Sequence, residues 1–330
     1  MLANIQALRA LAAIFVMLAH VGSLSAYHAY FPKIDFLHHG IFGVDLFFVI
    51  SGFIMVYITS ERWSGVGSFL AARALRIYPL WWLCLLVLAP EIIPYLLGKP
   101  DGWYYVASFF LVPAPIGSGE LYPPIVQGWT LSYELMFYLV FGLLMLTGRR
   151  YIAAKVAITL LALFGAGFLS SGTPHKFFTN AIFLEFAFGV AIGEAFVSNR
   201  LRLWYVVPLS IAAAVGWYFK QPIVEDFRLL YYGAPAAALV IVALLAERAN
   251  IVAPKPIEFL GDASYSLYLS HVTVIMAVAP WLAWAPFYMA FPIVICAALA
   301  VSALLYLGFE RPIHQASRWF YRTRLARILP

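Results

Sequence analysis

Residues 5–20 read Ile5-Gln6-Ala7-Leu8-Arg9-Ala10-Leu11-Ala12-Ala13-Ile14-Phe15-Val16-Met17-Leu18-Ala19-His20. The run begins almost at Met1, without a charged segment before it or an Ala-x-Ala cleavage site after it. It is therefore expected to be a retained spanning helix and not a signal peptide. Runs of about 18–22 apolar residues, enough for a roughly 30 Å hydrocarbon core, recur to the end of the chain. They place spans near residues 5–24, 41–59, 77–97, 129–147, 152–170, 177–197, 203–219, 229–247, 264–283 and 288–309. The 330 residues are 64% hydrophobic and 11% charged, with a mean hydropathy of +0.88. A soluble domain is about 45–50% apolar and about 25% charged, so a soluble globule is excluded. The expected fold is an all-α integral membrane protein, with about ten transmembrane helices in one bundle over residues 1–330. Such a chain leaves no length for an extramembrane domain. The longest connection, 98–128, holds a run from Trp103 to Leu111 too short to span, which reads as a re-entrant or interfacial element.

Charge sets the expected orientation. With both termini on one side, 16 of the 21 Lys and Arg residues fall on that side and five on the other. The bias places both termini in the cytoplasm and requires an even number of spans. The same scatter explains a pI near 9.2 without nucleic acid. Cys84 and Cys296 lie in apolar runs and suggest neither a disulfide framework nor a metal site. The tail from Arg311 to Arg327 reads as a basic segment on the anionic inner leaflet.

Ionisable groups inside spans are costly and become candidates for function. Arg9 and His20 lie eleven residues apart, hence within about 20° on one helix face and about 16 Å apart along the axis. Ala12, Ala13 and Val16 make the stripe between them small enough to border a groove. The ordinary reading is that each snorkels to its own interface. Asp45, in Phe42-Gly43-Val44-Asp45, and Glu134, in Gly128-Trp129-Thr130-Leu131-Ser132-Tyr133-Glu134, follow outer helix starts. Counted from those starts, both come near the depth of His20, at roughly 6–8 Å. A carboxylate beside a histidine fixes its tautomer while the other nitrogen takes a hydroxyl proton. Helix capping is the alternative for both carboxylates. Arg73 and Arg76 share one face of a turn just before Pro79, in an expected cytoplasmic loop, and two guanidinium forks there suit a phosphate. Ordinary positive-inside topology accounts for them equally. His271, with Tyr268 three residues earlier, either lines a polar tunnel or holds helices together. Glu91, Glu185 and Glu194 also fall within spans.

In combination these stretches resemble the membrane-bound acyltransferase-3 family, in its short branch that O-acylates exopolysaccharides and lipopolysaccharides. The motifs are Arg9-(ten residues)-His20, Phe47-Phe48-Val49-Ile50-Ser51-Gly52-Phe53, Arg73-x-x-Arg76, Trp129 through Glu134 to Tyr138, and Ser264-Tyr265-Ser266-Leu267-Tyr268-Leu269-Ser270-His271. They occur in family order along the chain. Some relatives append a periplasmic hydrolase-like domain, and a form without it is expected here.

The resemblance implies transfer of an acyl group, most often acetyl, from cytoplasmic acyl-CoA to a hydroxyl of a cell-surface or exported polysaccharide. On that reading Arg9, Arg73 and Arg76 bind the phosphates of acyl-CoA. His20 is a general base or transient acyl carrier, oriented by Asp45 or Glu134. Ser51, Tyr133, Tyr268 and His271 are candidates for tunnel or acceptor lining. The expected setting is a bacterial cytoplasmic membrane. Acyl-CoA is the donor, no metal or permanently bound cofactor is called for, and partners are the glycan or a lipid-linked oligosaccharide, membrane lipids and polysaccharide biosynthesis or export proteins. Two other classes compete. A secondary transporter would use Asp45, Glu134 and His271 as relay groups, and an export-complex subunit would use its basic tail.

Overall fold

A computed structural model describes residues 2–23, 35–61, 63, 65–87, 102–114, 123–219 and 228–316. Among these the regular structure is entirely helical. Many exposed positions are large and apolar, among them Leu86, Leu169, Leu304 and Trp284. A soluble monomer does not expose apolar area on this scale; a lipid-facing bundle does. Among the described residues, seven helices are long and apolar enough to cross a membrane: Ala3–Gly22, Leu37–Glu61, Val66–Val87, Gly128–Met145, Leu229–Arg248, Ser264–Leu282 and Phe287–Ala316. The chain is a multi-pass helical membrane protein.

The remaining predicted spans take other forms. That near 177–197 is a pair of helices bent by 47°, Gly172–Phe178 and Ala181–Val197. The break has a local cause: the Asn180 side chain accepts from the Ile182 N–H at 3.1 Å and starts a new turn. Those near 152–170 and 203–219 are the shorter apolar helices Ile152–Gly167 and Leu203–Tyr218. The span predicted at 77–97 starts eleven residues earlier, at Val66, and residues 88–101 lie outside the described residues, Glu91 with them. Pro79, within that predicted span, sits inside this longer helix. A proline removes one backbone bond and can be tolerated in a spanning helix. Arg73 and Arg76 are therefore helix residues, not loop residues. The end of the basic tail, 317–330, also lies outside the described residues.

The helices that position the site are α1 (Ala3–Ser23), α2 (Phe42–Glu61), α3 (Val66–Val87), the short α4 (Gly102–Phe109) and α5 (Gly128–Met145). After α6 (Ile152–Gly167) and α7 (Gly172–Phe178) come α8 (Glu185–Val197) and α9 (Val206–Phe219). The chain continues with α10 (Ala234–Arg248), α11 (Lys255–Asp262), α12 (Ser264–Val278) and α13 (Phe287–Leu305). Two π turns, Leu229–Gly233 and Tyr306–Glu310, precede α10 and follow α13.

The central helix is α2. Thirteen of its 20 residues are buried, whereas α3 buries only Phe69, Ile77, Leu80 and Trp81. Close approach on two sides makes this possible. A Cβ on Gly189 of α8 would stand 2.0 Å from the Val49 carbonyl oxygen, and one on Gly52 would stand 2.2 Å from that of Phe186. A Cβ on Gly43 would likewise meet the Ala12 carbonyl of α1 at 2.2 Å. Small residues let backbones meet where lipid offers no hydrophobic drive to associate.

Other contacts hold the ends. The Ala3 and Asn4 amides donate to the Glu247 carboxylate of α10, at 2.9 and 2.6 Å, which satisfies free N–H groups of the first turn of α1. On α3, Tyr78, Trp81 and Trp82 donate to the carbonyls of Phe110, Ser108 and Phe109 at 2.9, 3.1 and 3.1 Å. The C-terminal end of α4 thus hangs from α3. The short predicted run from Trp103 is this eight-residue helix and its exit.

The glycine crossing gives a direct test. Gly189→Ala forces backbone apart and should cost about 1–3 kcal/mol, read as a lower midpoint of thermal unfolding in detergent. Gly165→Ala, with nothing within 4 Å of the new methyl, should leave that midpoint unchanged or raise it. Equal midpoints for the two variants would contradict the packing described.

Candidate active site

A cavity of about 920 Å³, its open mouth included, lies between α1, α2, α3, α5 and α12. Its polar lining is Arg9, Ser51, Arg73, Arg76, Glu134 and Tyr138, joined on α12 by Ser264, Tyr265 and Tyr268. The helix geometry explains the depth. Arg73 and Arg76 stand seven and ten residues into α3, about 10 and 15 Å above its start. They are charges within the bundle, and each has neighbours to match. The Arg73 guanidinium lies 5.8 Å from the ring centre of Tyr138 and 6.0 Å from that of Phe69. Arg9 donates to Gln6 Oε1 at 2.8 Å, and the Gln6 amide donates in turn to Asp262.

Glu134 belongs to this cavity. It accepts from Ser51 Oγ at 3.1 Å and from the Tyr138 hydroxyl. A second carboxylate, unforeseen in the sequence reading, is Glu310. The π turn Tyr306–Glu310 delivers it, buried, to the same region, where it accepts from Ser266 Oγ at 2.7 Å and attracts Arg76 and Arg9. Such wide turns commonly mark functional sites. Two donors in the cavity wall are left without a partner among the described residues, Arg73 Nε and Ser264 Oγ.

The expected layer of His20, Asp45 and Glu134 is not formed. Ser51, the partner of Glu134, lies six residues beyond Asp45 on α2, about 9 Å further along and about 120° around the helix. Depths counted from each helix's own first residue assume that all helices start in one plane, and these do not. Asp45 instead holds Arg228 in a two-pronged ion pair, Nε to Oδ1 at 2.9 Å and Nη2 to Oδ2 at 2.6 Å. Buried Glu185 of α8 lies beside it, and Arg228 stacks 5.2 Å from the ring centre of Tyr232. Arg228, just before the span predicted at 229–247, is one of the five cations that the charge count leaves on the outer side. Glu194, also expected within a span, falls near the end of α8 and has no part in either cluster.

His20 pairs with His271, with His20 Nδ1 3.2 Å from His271 Nε2 and the ring centroids 4.8 Å apart. No carboxylate orients it among the described residues. Tyr268 stands between this pair and the cavity, its ring 6.1 Å from His271 and 5.7 Å from Phe47, its hydroxyl 2.6 Å from Thr130 Oγ1. The small stripe between Arg9 and His20 is not a groove. Ala12 and Val16 are filled by Gly43, and Ala13 packs with Leu267 and Ile275 of α12. The open space lies beside that stripe, along Phe47, Thr130 and Tyr268. Tyr133 is also turned away: it stacks on Phe177 at 4.1 Å and donates to the Phe177 carbonyl. One residue from Glu134, it is rotated 100° out of the cavity. Asp45, Glu134 and His271, grouped above as relay candidates, fall in three separate clusters. No group of three His, Cys, Asp or Glu among the described residues could hold a metal ion.

The Asp45–Arg228 pair separates structure from chemistry. Arg228→Leu leaves a buried carboxylate uncompensated and should cost about 3–5 kcal/mol, seen as lost monodisperse protein. Asp45→Asn with Arg228→Gln should recover most of that loss in a double-mutant cycle. Equal destabilisation by the double and single variants would contradict the pairing.

No solved structure matches the chain. It is 34% identical over 298 residues to "Exopolysaccharide production protein ExoZ" of Rhizobium meliloti, covering 85% of this chain and 92% of that one. It is 25% identical to "Peptidoglycan O-acetyltransferase OatA" of Listeria monocytogenes over 84% of this chain, and spans 50% of that relative's length. To "Nodulation protein 10" of Rhizobium leguminosarum it is 25% identical, over 82% of this chain and 81% of that one. A family model described as "Acyltransferase domain" matches residues 2–307. With that match running through every helix that builds the cavity, the chain belongs to the acyltransferase-3 family of membrane proteins.

Proposed function

We propose that this protein transfers an acyl group, acetyl in the first instance, from cytoplasmic acyl-CoA to a hydroxyl of a cell-surface or exported polysaccharide. The reading sets it in a bacterial cytoplasmic membrane with both termini inside. The observation that carries it is the joining of three arginines in one cavity, with the histidine pair next to the cavity's Tyr268. Guanidinium forks match phosphate oxygens and are more weakly hydrated than ammonium groups, which suits them to a partly buried anion site. Arg9, Arg73 and Arg76 bind the phosphates of the donor. Glu134 and Glu310 hold the arginines apart and in place.

The reaction needs one proton acceptor and one channel for the thioester. His20 Nε2 takes the hydroxyl proton as the sugar oxygen forms its bond to the thioester carbonyl carbon. The carbon–sulfur bond breaks, and the leaving thiolate takes that proton from the imidazolium as free CoA is released. The acceptor is a glycan, in keeping with relatives named for exopolysaccharide production and peptidoglycan O-acetylation.

Purified protein supplied with acetyl-CoA and an oligosaccharide should release free thiol and form an O-acetyl ester detectable by mass spectrometry. His20→Gln should lower that rate by about 10²–10⁴-fold without loss of folded protein. Arg73→Ala with Arg76→Ala should weaken acetyl-CoA binding by about 10-fold or more, from two lost charge-assisted contacts. Thiol release unchanged by His20→Gln would refute the base, and binding unchanged in the arginine pair would refute the phosphate site.

A further inference from the structure

The contact between His20 and His271 has a consequence for which nitrogen of His20 is free to act. His271 is fully buried, and its Nδ1 lies 3.0 Å from the Leu267 carbonyl oxygen one turn back on α12. A carbonyl only accepts, so the proton sits on Nδ1, and in a neutral ring Nε2 then carries the lone pair. The same logic holds on α1. His20 Nδ1 lies 2.9 Å from the Val16 carbonyl, so it too bears its proton. Its N–H is shared between that carbonyl and the lone pair of His271 Nε2 at 3.2 Å. With two neutral rings, no other placement of the protons satisfies all three contacts; it is assigned from this network.

We infer that His271 is the positioning residue for His20, its Nε2 accepting from His20 Nδ1–H so that His20 Nε2 is presented as the basic nitrogen. The inference rests on the reading of His20 as the base. It replaces the carboxylate expected beside that residue with a neutral acceptor. A neutral acceptor suits a membrane interior, because it fixes the tautomer without adding a second charge there. When His20 takes a proton, its Nδ1–H becomes a charge-assisted donor with two acceptors already in place, Val16 O and His271 Nε2. The rings meet edge-on at 67°, and Tyr268 flanks His271 on its own helix. The two carrying helices are locked together by Ala13 and Met17 against Leu267 and Ile275. Among the described residues, the other titratable group acting on His20 is His38, on the turn preceding α2.

Steady-state kinetics of the purified full-length protein with acetyl-CoA and an oligosaccharide acceptor test this. His271→Phe fills the space and accepts nothing; His271→Gln offers an amide oxygen where Nε2 stood. His271→Phe should lower kcat by about 10- to 100-fold, a fraction of full general-base catalysis, with KM for acetyl-CoA within about two-fold. His271→Gln should retain kcat within about three-fold of the wild type, since it keeps the acceptor. His271→Leu serves the same purpose as Phe where the larger ring prevents insertion. Wild-type kcat in Phe or Leu overturns the inference, as does an equal fall in kcat for Gln and Phe. His20→Gln, run alongside, separates the two readings. Loss of turnover there, with His271→Phe unaffected, removes His271 and leaves His20 standing; wild-type turnover in His20→Gln removes both.

Discussion

A charge placed inside a hydrocarbon layer must find compensation within the protein, since no water is there to supply it. The bundle is arranged around that constraint. Arg9, Arg73 and Arg76 are drawn to one cavity with Glu134 and Glu310, Tyr138 lies against Arg73, and Asp262 is tied to Arg9 through Gln6. Asp45 and Arg228 form a separate pair beside Glu185. Among the described residues the charges named here thus gather in two islands, one open to a cavity and one built on an ion pair. Among the described residues the open island retains unpartnered donors at Arg73 Nε and Ser264 Oγ, and unpaired buried donors are tolerated where a ligand supplies the acceptor.

Helix α2 keeps the islands apart. Its six-residue offset from Asp45 to Ser51 turns them to different faces, so one helix serves both without bringing their charges together. It can do so only because Gly43 and Gly52 allow α1 and α8 to approach at backbone distance. Any side chain at either position would lever a neighbouring helix outward and pull its polar groups out of register. The small residues are therefore as much a part of the electrostatic design as the arginines.

The fold class was legible because hydropathy reports burial in lipid directly; among the described residues the predicted spans overlap helices, seven of which are long and apolar enough to cross a membrane. The arginine cavity was partly legible: the shared face of Arg73 and Arg76 follows from three-residue spacing, but a span begun at residue 77 leaves both in a loop where the helix already runs from Val66. Depth was the weakest deduction. Glu134 was placed level with His20 by counting from Gly128, and its actual partner, Ser51, shows that helix ends are staggered. Arg228 stands at a helix start beside one π turn and Glu310 within the Phe287–Ala316 helix at another, and a one-residue widening leaves no mark in apolar periodicity. The His20–His271 contact joins positions 251 residues apart, a relation that no local pattern contains.

The attachment of α4 to α3 has its own consequence. An eight-residue helix is too short to persist alone, and three side chains of α3 close its C-terminal end through bonds to main-chain oxygens. The register between the two helices is thereby set by bonds to main chain, whatever the identity of the residues bonded. The Phe110 side chain can drift without loosening these bonds, whereas Phe109 adds a ring stacked on Trp82 at 5.0 Å, and Tyr78, Trp81 and Trp82 cannot change, because theirs is the donating half. The tolerance for sequence change at this joint is one-sided. It is broader on the short helix, apart from Phe109, than on the strut that also carries Arg73 and Arg76.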